Sequence, residues 1–161
     1  MDLNTAQLQT LKAAINAETN GAFVTYRNTG QTGAMADWYN VASNTDAWNS
    51  SVDKTQLNAV STYTNYDTVV AGKRDAWSLF LGSAPQDMSQ GKLRNTVTDV
   101  WGPVVAASVG EEILKGCRRK STRGENVYGG TVASTGTVSA TKLAVEGSMT
   151  NQNILDALAQ P

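Results

Sequence analysis

The sequence contains no histidine and a single cysteine, Cys117. Without imidazole there is no Ser-His-Asp or Cys-His relay, and the commonest general base and zinc ligand are missing. A metal site would need carboxylates alone, and these are scattered, with Glu111-Glu112 the only adjacent pair. Neighbours on a helix point about 100° apart, so this pair reads as a solvated helix face rather than a paired-carboxylate site. The phosphate-cradling and nucleophile-elbow patterns GxxxxGK[ST], GxGxxG and GxSxG do not occur. Gly129-Gly130 has no helix start after it and reads as a turn. Cys117 lies beside Ile113 and Leu114, which points to a buried thiol; Arg118 and Arg119 argue for reactivity. The expectation is therefore a non-enzymatic protein with no catalytic residue, no cofactor and no metal. Hydrolysis by two carboxylates that meet in the fold is the catalytic alternative.

Charge adds one local feature. Thirteen basic and fourteen acidic residues leave a net charge of -1, with no strong pull toward nucleic acid or an anionic membrane. Yet Lys115, Arg118, Arg119, Lys120 and Arg123 fall within nine positions. Cations at a helix C-terminus account for such a cluster, and so does a docking patch for an acidic protein surface or passing DNA. No run of about 18 apolar residues exists to cross a membrane. The opening Met1-Asp2-Leu3-Asn4 lacks the basic and apolar regions of a secretion signal, so synthesis in the cytoplasm is expected.

The elements that would carry these residues are mostly helical. Asn4 and Gln7 form a capping-box pattern, Leu3 and Leu8 a staple, and Leu8, Leu11 and Ile15 one face of a first helix ended by Asn20-Gly21. Met35, Trp38 and Tyr39 share a face from about Gln31 to Val41. Residues 47–52 read as a short extended piece, and Asp53 as the cap of a brief helix carrying Leu57 and Val60. Helical periodicity returns over 67–81, with Trp77 and Phe80 on its stripe, and again to Trp101 through Leu93, Val97 and Val100. Pro103 then suits the first turn of a helix to Cys117, with Gly110 as a weak point. Trp38, Trp77 and Trp101 read as core, and Trp48, flanked by Asn49 and Ser50, as nearer a surface.

From Ser121 to Thr150 the composition changes: 15 of 30 residues are Gly, Ser or Thr. Two β-prone runs, 126–133 and 137–146, flank Ser134-Thr135-Gly136 as a hairpin. Thr150 then caps a short final helix with Ile154, Leu155 and Leu158 on one face. The expected fold is mainly α: a small helical bundle over 1–120, then 121–161 as an extended arm with a β-hairpin and short C-terminal helix. An isolated hairpin is marginal in water, so this one is expected either to pack on the helical body or to grip another chain. Tyr128, Val132, Val138, Leu143 and Val145 join the five basic residues as candidate partner-binding positions.

Three stretches resemble a family of small proteins of tailed bacteriophages. Asn4-Thr5-Ala6-Gln7-Leu8-Gln9-Thr10-Leu11-Lys12-Ala13-Ala14-Ile15 is similar to that family's opening helix, and Thr68 to Trp101 to its paired middle helices. Val145-Glu146-Gly147-Ser148-Met149-Thr150-Asn151-Gln152 is similar to its closing strand-to-helix pattern. The resemblance implies a head–tail connector, also called a neck adaptor or head completion protein, in the virion. Its subunits would form a homo-oligomeric ring, a dodecamer, beneath the portal protein. They would offer a platform to the next neck or tail protein, with non-specific contact to packaged DNA an open role. Residues 22–66 match least well, and the basic join has no counterpart. A tail-tube or minor capsid protein, and the carboxylate-only virion hydrolase, are the alternatives.

Overall fold

Four of the helices begin where the sequence itself supplies both halves of a reciprocal cap. Asn4 with Gln7, Asp53 with Gln56, Thr122 with Glu125 and Thr150 with Asn153 each satisfy the two exposed amides of a helix start. In the computed structural model, which describes residues 1–161, these boxes open α1 (Thr5–Ala17), α4 (Lys54–Asn58), α9 (Arg123–Val127) and α10 (Asn151–Leu158). Asn20 starts a helix rather than ending one: its side chain accepts from the Ala22 amide at 3.1 Å and opens α2 (Gly21–Asn28). The remaining helices are α3 (Thr32–Asn40), α5 (Tyr63–Asp67), α6 (Ala71–Gly82), α7 (Gly91–Trp101) and α8 (Val109–Gly116). The helix expected over 67–81 is α6, which starts only at Ala71, with Val69 and Val70 before it and α5 ending at Asp67, and α8 starts at its Ser108 cap rather than at Pro103.

Four strands complete the chain: β1 (Ala42–Trp48), β2 (Arg118–Thr122), β3 (Gly130–Thr135) and β4 (Val138–Leu143). They form one mixed sheet in the order β2-β1-β4-β3, with β1 parallel to β4 and Ala47 opposite Thr141. Asn49 bonds Cys117 at one end of the β1–β2 pair and Arg123 bonds Val41 at the other, an antiparallel arrangement. About half the residues are helical, so the fold is α/β and not a mainly-α bundle with a hairpin arm. The expectation of an arm fails because β4 pairs with β1 inside the sheet. The basic run Arg118–Lys120, read as a helix end, is a strand.

By spatial proximity the chain forms two compact units. The first comprises residues 1–44, 120–131 and 143–161, and the second 45–119 and 132–142. The first unit's core holds Leu11, Ile15, Phe23, Met35, Tyr39, Met149 and Ile154, with Phe23 edge-on to Tyr39. Asn40 clamps Met149 there, donating to its carbonyl at 2.8 Å and accepting from its amide at 2.7 Å. Buried Glu125 ties two segments of that unit together, accepting from Thr122 at 2.8 Å and Gly147 at 3.0 Å. On α10 the inner face is Asn153, Ile154 and Ala157. Leu155 and Leu158, expected beside Ile154, remain exposed.

The second unit's core holds Trp48, Trp77, Met88, Val97, Ile113, Leu114 and Val138. Trp48 is fully buried, contrary to its polar neighbours, because its indole N–H donates to Ala133 O at 2.9 Å and its ring carries the Arg94 guanidinium at 4.5 Å. Arg94 is itself buried and forks onto Met88 O at 2.7 Å and Ser89 O at 2.8 Å, with Thr135 Oγ1 at 3.0 Å. A charge so placed is tolerable because carbonyl dipoles and an aromatic face replace its water.

The β3–β4 turn, Gly136-Thr137, sits on the loop before α8. Gly136 has φ +57°, and a Cβ there would lie 2.1 Å from Val104 O. Gly129 has φ +67° but open space around it. Gly129→Ala should therefore cost only the left-handed backbone penalty, about 1 kcal/mol. Gly136→Ala, which must also displace backbone, is expected to cost more than about 2 kcal/mol in urea denaturation. Equal losses would remove the close approach from the account. Arg94→Ala strands two buried carbonyls and should cost about 3 kcal/mol in the same measurement, with Arg94→Lys recovering part of it.

Candidate assembly interface

Each of the ten candidate residues has a definite place. In the second unit, Lys115 sits in the last turn of α8, 3.1 Å from Glu111 and 2.8 Å from Glu112. Both carboxylates hold its ammonium above the usual lysine range, Glu112 most. Arg118 opens β2 and pairs with Asp46 at 3.2 Å, and Arg119 follows in the same strand. In the first unit, Lys120 donates to Asn44 O at 3.2 Å. Arg123 opens α9 with its guanidinium 3.8 Å above the Trp38 ring. The basic cluster is thus divided among a helix end, a strand and a helix start, and its charges meet the chain's own carboxylates, carbonyls and indole.

Glu111 departs from the solvated reading of Glu111-Glu112. Glu112 is exposed, but Glu111 is buried, accepting from Thr137 Oγ1 at 2.8 Å and Ala107 N at 2.7 Å. Ala107 is the one non-glycine residue at positive φ, +62°, and this carboxylate holds its amide in that left-handed conformation. Cys117 is buried as expected, and burial pushes its thiol up to about 12, far from a thiolate at neutral pH.

The hairpin positions divide into inward and outward groups. Val138 and Leu143 are buried within the chain, Val145 is half-buried, and Tyr128 caps α9 half-buried, its hydroxyl raised to about 12 by desolvation. Val132 is 70% exposed. Its strand, β3, ends the sheet. Ala144 N donates to Gly129 O across the hairpin at 3.2 Å, so the odd-numbered residues of β3 face β4. Alternation then turns the backbone groups of Val132 and Ser134 away from the sheet. Sequence reasoning singled out Val132 for its side chain and read Ser134 as turn. The edge backbone is what unites them, and no local pattern reveals that β3 rather than β4 lies outermost.

In comparisons with known proteins, no family model, no curated protein and no solved structure matches the chain.

The Glu111 site makes a pH prediction. The Thr137 hydroxyl first, then the Ala107 amide and Lys115, hold its carboxyl below the usual carboxylate range. A depressed folded value stabilises fully above the unfolded value of about 4.3 and is lost as pH falls through the folded one. Glu111→Gln should therefore lower the urea midpoint at neutral pH, and its gap to wild type should narrow steadily below about pH 4. A gap that persists unchanged under acid would show that the carboxylate charge plays no part.

Proposed function

We propose that the protein is a structural virion subunit, a head–tail connector that assembles beneath the portal and presents a platform to the next neck or tail protein. The observation that carries the reading is the open strand edge at β3, with Val132 largely exposed on a strand free of charge and proline. Such an edge is a ready template for main-chain pairing with another chain. It replaces the free hairpin arm as the docking element.

The order of elements supports the connector over its alternatives. The first resembling stretch forms α1 with its capping box, and the middle stretch holds the helices α6 and α7. The last stretch runs from Gly147 into the Thr150-capped α10. A tail-tube protein would be dominated by β-structure, and ten helices weigh against that alternative. Repetition of one modest edge contact around a ring would suffice for assembly through multivalency.

The test is the composition of the particle. Mass spectrometry of purified virions carrying this gene should find the chain in equal copy number with the portal, and electron microscopy should locate it in the neck. Complete, infectious particles lacking the protein would end the proposal.

A further inference from the structure

We infer that the cleft at the start of α6 binds a small aliphatic carboxylate, its alkyl chain against valines and its charged head at the helix start. The inference goes beyond the connector reading and does not depend on it. The cleft lies wholly within the second unit and has a volume of about 330 Å³. That is the low end for small-molecule sites. Val69, Val70, Val100 and Val109 line it together with the Trp101 indole. Trp77, edge-on at 5.6 Å, and Tyr66 at 6.3 Å pack against that indole. Val70, although apolar, stays 66% exposed.

Charge selects the head group. Lys73 is the one charged residue on the lining, and no carboxylate lies within ion-pair distance of it. Its neighbour Arg74 is turned to Asp67 at 3.9 Å. Lys73 stands in the first turn of α6, which carries no acid, and the cap position is Val70, whose side chain can accept nothing. The first bonds of the helix run from Lys73 and Arg74 to Val70 O at 3.0 and 3.1 Å, which leaves the Ala71 and Gly72 amides without an acceptor. Free amides, the positive end of the helix dipole and a lysine all favour an anion there. The buried Trp101 Nε1 likewise finds no acceptor in the chain. One cation matches one carboxylate, whereas a nucleic acid backbone draws on many. The valines match an alkyl chain, which gains by leaving water.

Isothermal calorimetry of the full chain with octanoate, octanol and octylamine tests this. Octanoate should bind at least about five-fold more tightly than octanol, and octylamine more weakly than either. Lys73→Gln should weaken octanoate binding about five-fold and leave octanol unchanged. Val70→Asp supplies the missing cap and sets a fixed carboxylate at the helix start. It should raise the melting temperature and abolish octanoate binding. A wild type that ignores octanoate or takes octanol equally well overturns the inference, as does an octanoate affinity that survives either substitution. A chain that takes a blocked tripeptide ending in a valine carboxylate but not octanoate also overturns it. The connector reading is tested by the composition of the virion and stands or falls separately from these results.

Discussion

The architecture hangs on where the β3–β4 turn is seated. Gly136 lies so close to the Val104 carbonyl that no side chain fits. Thr137 fixes the turn twice, through its amide to Val104 and its hydroxyl to Glu111. Glu111 in turn holds Ala107 in a left-handed conformation at the start of α8. One turn thereby couples the hairpin to the loop before α8, and β4 is held where it can pair with β1. That seat, the pairing of β4 with β1 and the Trp48 and Arg94 bonds to Ala133 and Thr135 together make the hairpin part of the sheet rather than the free arm that its composition suggests.

Buried charge follows one rule throughout. Arg94, Glu111 and Glu125 are each more than nine-tenths buried, and each is met chiefly by backbone groups and hydroxyls. Arg94 has no carboxylate within ion-pair distance, and its fork spans two successive carbonyls while Trp48 covers its face. Backbone dipoles are fixed by the fold, so a charge satisfied by them ties side-chain position to chain path more tightly than an ion pair between mobile side chains. Each of the three therefore pins a loop: 88–89 by Arg94, 107 by Glu111 and 147 by Glu125.

The same economy shapes the surface. Lys115 and Arg118 are spent on neighbouring acids and Arg123 on an indole, so the basic cluster is not a uniform positive field. On the connector proposal, the uncharged edge of β3 is instead where another chain would pair. A strand edge offers repeated, directional bonds, and a rigid one pays little entropy on pairing. This makes it suited to a subunit whose contacts recur.

By itself the sequence determined whatever is settled within about four residues. Capping boxes at Asn4, Asp53 and Thr150 and the stripe of Leu11 and Ile15 place helices correctly, because the bonds involved are local. The absence of histidine and the burial of Cys117 were legible in the same way. Tertiary structure decided the rest. Ala47 finds Thr141 across more than half the chain, and no local period marks β1 or the basic β2 as strands. Trp48 and Glu111 look exposed among polar neighbours and are buried because distant residues, Arg94 with Ala133 and Thr137, satisfy them. Hydrogen bonding across a sheet is non-local, so which strand is left at the edge, and hence which residues can meet a partner, is decided only when the chain folds.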